Sequence, residues 1–331
     1  MSRRIIAVII AVTLAAVALA TTAALGSSTS QKSPQAHKKT YTFYLVAGIT
    51  SDAFYLTMKK GAQAAAKKLG NVKVVFTGSP AAFSPNTQVP FLNGAIARHP
   101  SAILIAPTDK TALAGPIQRA INSGIPVATV DTFITKPIAF TNVSTNNPAG
   151  GRAAATALAN AIGKSGDVAA ISVNPGISTT DQRRDGFAAQ LKKYPGINYL
   201  GVQYCNDDQT KASNQTSALL AGHPDLKGMF AMNVVSGNGV TQAVKAAGKS
   251  GKVKLVEFDA GPPQVQALKA GTIDALIAQY PYGIGQKAVR LAYRYVTGHR
   301  AGIKKHYGTG SAIVTRANVN KPATKKYLYT P

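Results

Sequence analysis

The sequence predicts an α/β protein built as two doubly wound parallel-sheet lobes. Three observations carry this. Short apolar, β-branched runs alternate with helix-like stretches along nearly the whole chain, the signature of repeated βαβ units. The alternation restarts after about residue 145, giving two sets of some five strands. Several runs stop on an aspartate, as Ile125-Pro126-Val127-Ala128-Thr129-Val130 stops on Asp131. In open parallel sheets, ligands sit beyond the carboxyl ends of the strands.

The first lobe opens with a strand over 42–46 and a helix over 54–69. Gly70-Asn71 closes that helix, because glycine accepts the left-handed conformation of a C-cap. A strand over 72–77 and a helix over 86–97 follow. The strand 102–106 ends at Pro107-Thr108-Asp109, ahead of a helix over 111–123 and the strand that ends at Val130. A composition break at 141–145 reads as the first passage between lobes.

The second set begins with an Ala-rich helix over 148–162, opened by Asn146-Asn147-Pro148 with proline in the first turn. Strands are expected at 168–173, 199–204, 228–231, 253–258 and 275–279. Helices fall between them, near 182–193, 209–221, 237–247 and 264–270. A last helix over 282–297 precedes a basic, glycine-containing stretch, 299–310.

Composition narrows the function. The chain has 331 residues, comfortable for two cores. Thirty-seven Lys and Arg face twelve Asp and Glu, a formal charge of +25. Such a balance points to an anionic surrounding. The basic residues come in ones and twos, such as Lys59-Lys60 and Lys192-Lys193, with no concentrated arm, so nucleic acid is not expected as a partner. Solvated lysines near an acidic envelope are the better reading.

The few acids say more. Glu257 is the only glutamate, and Asp52, Asp131, Asp181, Asp207 and Asp259 all fall at expected strand ends or the loops after them. Some could instead cap helices, Asp52 and Asp181 first. Cys205 is the only cysteine, so no disulfide forms within the chain and no thiolate metal site exists. The five histidines show no metal-ligand spacing. No metal, cofactor or catalytic residue is expected.

The N-terminus reads as an address. Ser2-Arg3-Arg4 precedes an apolar run over 5–25, with small residues at Ala18-Leu19-Ala20 and Thr22-Ala23-Ala24 for cleavage. The run is also nearly long enough to span a bilayer as a retained anchor. Residues 1–26 are therefore a signal peptide or anchor. Residues 27–40, rich in Ser, Gln, Lys and Pro, are a disordered tether. Either way the remainder lies outside the cytoplasm.

Read together, the motifs resemble the periplasmic sugar-binding proteins of ABC transporters, ribose-binding type. The pieces are Ser51-Asp52-Ala53-Phe54-Tyr55, Ala106-Pro107-Thr108-Asp109, the strand into Asp131, Arg183-Arg184-Asp185-Gly186-Phe187, Phe230-Ala231-Met232-Asn233, Val256-Glu257-Phe258-Asp259 and Ile277-Ala278-Gln279-Tyr280-Pro281. Each is weak alone; their order is specific, and together they cover about residues 41–314. The resemblance implies a type I periplasmic binding protein, two lobes on a three-strand hinge with ligand closed in the cleft. Lobe one would be 41–144 with 280–308, and lobe two 145–279 with 309–331. It also implies a membrane ABC permease as partner and a monomer in solution.

By that resemblance Asp131, Asn233, Asp259 and Gln279 match ligand contacts directly. Phe54 and Tyr55 would cover a sugar's ring face, although adjacent helix positions cannot both point the same way. Asp52 replaces the usual asparagine. Arg183 either braces the site or touches ligand. There are departures. Thr132 stands where ribose binders carry arginine, Asp181 where they place a ligand-contacting arginine, and Asn206-Asp207 where they place an aromatic. Two cationic donors and one ring thus give way to shorter acceptors. Such a cleft fits a ligand with many donors: a polyol, an amino sugar or a cationic small molecule. Thr180-Asp181-Gln182 also resembles the pair in the branch that binds autoinducer sugars.

Three rivals share parts of this pattern. An enzyme would need a nucleophile elbow, phosphate loop or metal spacing, and none occurs. A DNA-binding repressor of this fold would carry an N-terminal helix-turn-helix in place of the apolar segment. A ligand-sensing receptor component without transport stays open as the alternative to delivery.

Overall fold

The computed structural model describes residues 39–80 and 82–330. The signal or anchor segment and residues 27–38 of the expected tether lie outside the described residues. Among the described residues no helix is long and apolar enough to cross a membrane.

In chain order the elements are β1 Tyr41–Ala47, α1 Ala53–Leu69, β2 Val72–Gly78, α2 Pro85–Ile96, β3 Ala102–Ile105, α3 Ala114–Asn122, β4 Val127–Val130 and β5 Thr141–Thr145. Next come α4 Asn147–Ala161, β6 Ser165–Ser172, α5 Ser178–Leu191, β7 Gly196–Tyr204, α6 Gln209–Gly222, β8 Gly228–Ala231, α7 Val234–Ala246, β9 Lys254–Phe258, α8 Pro262–Ala270 and β10 Ala275–Ala278. The chain finishes with α9 Pro281–Val296, β11 His306–Thr309, β12 Ala312–Val314 and α10 Pro322–Lys325.

Two six-stranded sheets result, ordered β11-β5-β4-β3-β1-β2 and β12-β10-β9-β8-β6-β7. All pairings are parallel except β12, which runs antiparallel to β10. The central strands β3, β4, β8 and β10 are buried along their whole length. They read as continuous apolar runs because helices cover both faces. The chain passes from one sheet to the other after β5, after β10 and after β11. Three strands missing from the sequence reading, β5, β11 and β12, sit at these passages. Residues 141–145 form β5 instead of a mere break, and part of the basic stretch 299–310 forms β11. Their sequences, Thr-Asn-Val-Ser-Thr and His-Tyr-Gly-Thr, lack the apolar run that marks an interior strand. Register with their neighbours, not hydrophobicity, makes them strands.

Two helix pairs pack closely, and glycine permits it. α1 meets α9 at Gly61 and Gly285; a methyl on either would collide with the carbonyl oxygen of Tyr282 or of Met58. α4 meets α5 at Gly151 and Gly186, against the carbonyl oxygens of Arg183 and Pro148. The second pair fixes the first half of α5, which carries Arg183, against the start of α4.

Candidate functional site

The carboxyl ends of both sheets face one cavity, with about 440 Å³ of space between atoms, mouth included. Asp52, Phe54, Tyr55, Asp131, Thr132, Arg183, Asp207, Asn233, Asp259 and Gln279 all line it.

Asp52 precedes α1 and caps it, its Oδ1 accepting the Phe54 N–H at 2.8 Å. It is a helix cap and a wall residue at once. Phe54 and Tyr55 both reach the cavity, contrary to the expectation that neighbours must diverge. The first turn of α1 meets the cavity with its end, and side chains there lean back toward the N-terminus. The two rings stand edge to face, centroids 5.1 Å apart.

Asp131 follows β4 with φ of 59°. Left-handed backbone is uncommon for any residue but glycine, and aspartate tolerates it better than most. Its Oδ2 accepts from the Tyr55 hydroxyl at 3.3 Å, while Oδ1 has no partner among the described residues. The Thr132 hydroxyl beside it is likewise buried and unpartnered. Burial, partly offset by the Arg183 guanidinium and reinforced by Asp259, pushes the Asp131 carboxyl from 3.8 up to about 7. Burial also pushes Asp52 up to about 7, with Asp259, Asp207 and Asp131 adding repulsion against the Phe54 N–H.

The opposite wall comes from the second sheet. Asp259 follows β9 at φ of 84°. Its Oδ1 accepts from Gln279 Nε2 and from the Tyr329 hydroxyl, each at 2.6 Å, and its Oδ2 from the Val234 N–H at 3.1 Å. Gln279 in turn accepts from the Thr145 hydroxyl at the end of β5, tying the two sheets together. Asn233 caps α7 through the Ser236 N–H and donates Nδ2 to Asp207 Oδ1 at 2.7 Å. Burial raises Asp207, offset in part by that amide, with Asp259 adding repulsion.

Arg183 is buried and strongly held. Nε donates to Asn147 Oδ1 at 2.9 Å, Nη1 to the Met232 carbonyl at 2.7 Å, and the guanidinium lies 3.7 Å over the Phe258 ring. It therefore does both things left open by the sequence: it braces three elements and still lines the cavity.

Asp181 is the exception. Its Oδ2 accepts from Lys110 Nζ at 2.7 Å and from the Gly176 N–H at 3.2 Å, and its Oδ1 from Arg184 Nη1 at 3.1 Å. The carboxylate is spent on these donors and is no part of the cavity wall. The helix begins at Ser178, earlier than the sequence indicated, and that turn presents Thr179 and Thr180 to the cavity instead. Sequence reasoning also missed Phe83, Val173 and Ile177. Phe83 sits in the loop before α2, where no strand-end or motif signal marks it.

A polar cavity shared by the strand ends of two doubly wound sheets, linked by three passages, is the design of a type I periplasmic binding protein. Comparison with known proteins gives the same answer. The model of the periplasmic binding protein domain matches residues 43–300. The ribose import binding protein of Salmonella typhimurium is 31% identical over 263 residues, 80% of this chain and 87% of that protein. The D-allose-binding periplasmic protein of Escherichia coli is 31% identical over 251 residues, 73% of this chain and 80% of that one. Among solved structures, an ABC transporter solute binding protein from Agrobacterium vitis, bound with α-D-tagatopyranose, superposes with a TM-score of 0.85 at 43% identity. It spans 88% of this chain and 100% of its own. An Agrobacterium radiobacter solute binding protein in complex with D-arabinose gives 0.83 at 32% identity, covering 87% and 99%. The chain belongs to the periplasmic binding protein family, among its ABC-transporter sugar-binding members.

Proposed function

We propose that the protein captures a small polyhydroxylated ligand, a sugar or polyol, between its two lobes outside the cytoplasm and delivers it to an ABC permease. The observation that carries this is the pair of buried acceptors without partners, Asp131 Oδ1 and Thr132 Oγ1, facing the carboxylates of Asp207 and Asp259. A buried polar group left unpaired costs about 1–3 kcal/mol. A hydroxyl-rich guest removes that cost, since each hydroxyl donates to a carboxylate and accepts from Arg183 or an amide. Phe54, Tyr55 and Phe83 cover its apolar faces.

The wall is richer in acceptors than in donors. Four carboxylates meet one guanidinium, and two of that guanidinium's nitrogens are already engaged. Anionic sugars are disfavoured by this balance, and neutral ligands with many hydroxyls are favoured. Relatives bind ribose, allose, arabinose and tagatose by name, so those four form the first panel. Closure about the hinge is the mechanism: ligand touching both walls stabilises the closed form by its differential affinity.

A thermal-shift screen with D-ribose, D-allose, D-arabinose and D-tagatose tests the reading, since a tight ligand stabilises by RT ln(1 + [L]/Kd). The expected result is a saturable rise in melting temperature with at least one, and a smaller radius of gyration in solution scattering with that sugar. No shift with any neutral sugar or polyol, or a shift only with sugar acids, overturns it.

A further inference from the structure

The segment after β12 lies beyond the stretch that carries the resemblance, yet it packs back against the site. Tyr329 is buried, 4% exposed, behind the cavity wall. Its backbone N–H donates to the Ala260 carbonyl at 3.0 Å, beside β9. Its ring meets the Phe54 ring edge-on, centroids 5.8 Å apart. The next residue turns to α1, where the Thr330 N–H donates to the Thr57 hydroxyl at 3.1 Å. The Tyr329 hydroxyl donates to Asp259 Oδ1 at 2.6 Å.

We infer that Tyr329 is a positioning residue of the binding site, acting through Asp259 on one wall and Phe54 on the other. This rests on the ligand-capture reading above. Asp259 holds a left-handed φ of 84°, a conformation that costs a residue with a side chain and persists only where its surroundings over-determine it. Three donors do so here: Gln279, the Val234 N–H and Tyr329. With Oδ1 receiving two of them, the rotamer is fixed and the free lone pairs point one way. A phenol donating to a carboxylate also makes a charge-assisted bond, about twice as strong as a neutral one. Tyr329 does not line the cavity, so it touches no ligand. It decides where a ligand-facing acceptor points.

The test is Tyr329→Phe, which keeps the ring against Phe54 and removes only the hydroxyl. For the panel sugar that binds wild type, Kd is expected to rise about tenfold. Monodeoxy forms of that sugar separate positioning from general loosening. At the hydroxyl bound by Asp259, removal from the sugar should bring the mutant-to-wild-type ratio of Kd close to one, while other positions keep the full ratio. A ratio uniform across all deoxy positions, or no change in Kd, overturns the proposal. A readout without sugar keeps it separate from the ligand reading. The infrared difference between ligand-free wild type and Tyr329→Phe should show a shifted carboxylate band, absent when the same change is made in an Asp259→Asn background. No such band also overturns it, whatever the sugar screen gives.

Discussion

Lys110 Nζ lies 2.7 Å from Asp181 Oδ2, and the two residues belong to opposite lobes: Lys110 follows β3 of the first sheet, Asp181 rides on α5 after β6 of the second. The same edge is joined by the Lys110 N–H donating to the Gly176 carbonyl at 3.0 Å and the Phe133 N–H donating to the Ser178 hydroxyl at 2.9 Å. A side chain expected to meet ligand instead meets the other lobe, so it favours the closed form without touching the guest. Lys110 keeps 39% of its side chain exposed, and solvent screening limits the pair to about 1 kcal/mol or less.

Lys110→Ala is therefore expected to weaken sugar binding about threefold to fivefold in calorimetry at low salt. The gap from wild type should shrink in 1 M NaCl, where the Debye length is about 3 Å. An undiminished gap in high salt would show that the lysine acts by packing.

Asp131 gives a pH dependence of definite sign. Its carboxyl rises from 3.8 to about 7 on folding, chiefly through burial. Between those values the folded chain binds more protons than the unfolded one, so stability falls as pH rises through that window. A shift of three units corresponds to at most about 4 kcal/mol. Asp131→Asn should raise the ligand-free melting temperature by about 5–10 °C at pH 8 and by little at pH 4.5. The same substitution should abolish sugar binding. An equal gain at both pH values would sink the argument.

Gln279 serves both sides of the hinge, donating to Asp259 and accepting from Thr145. Gln279→Leu keeps the volume and removes both bonds. Sugar affinity should fall tenfold or more, from loss of a bond to a charged group. Calorimetry with the panel sugar measures it; an unchanged Kd would remove Gln279 from the site.

Gly61→Ala tests the α1–α9 contact. The added methyl would collide with the Tyr282 carbonyl oxygen, which is backbone and cannot swing aside. Overpacking of this kind costs about 1–3 kcal/mol, a drop of roughly 3–10 °C in melting temperature. Gly94→Ala, where no atom stands in the way, is the control and should leave it unchanged or slightly raised.

Much of this was readable along the chain. Buried strands such as β3, β4 and β8 declare themselves because both faces are covered, leaving apolar runs that stop on polar residues. The runs into Asp131, Asn233, Asp259 and Gln279 also give the site's position, because a parallel sheet directs every carboxyl end to the same edge. The passages β5 and β11 carry no such run and read only as a composition break and a basic stretch, while β12, Ala-Ile-Val, is apolar but only three residues long. Phe83 and Tyr329 come from loops whose sequences say nothing of where they fold.

What the sequence determined by itself was periodicity and the chemical types at the strand ends, and these follow from local rules of burial and backbone direction. Partnership, by contrast, was set by the folded arrangement. Asp181 and Asp131 are the same residue type at comparable expected positions, yet one is neutralised by Lys110 and Arg184 and the other left with a bare oxygen in the cavity. The difference lies in which donors from distant segments arrive within hydrogen-bonding reach, and no local pattern encodes that distance.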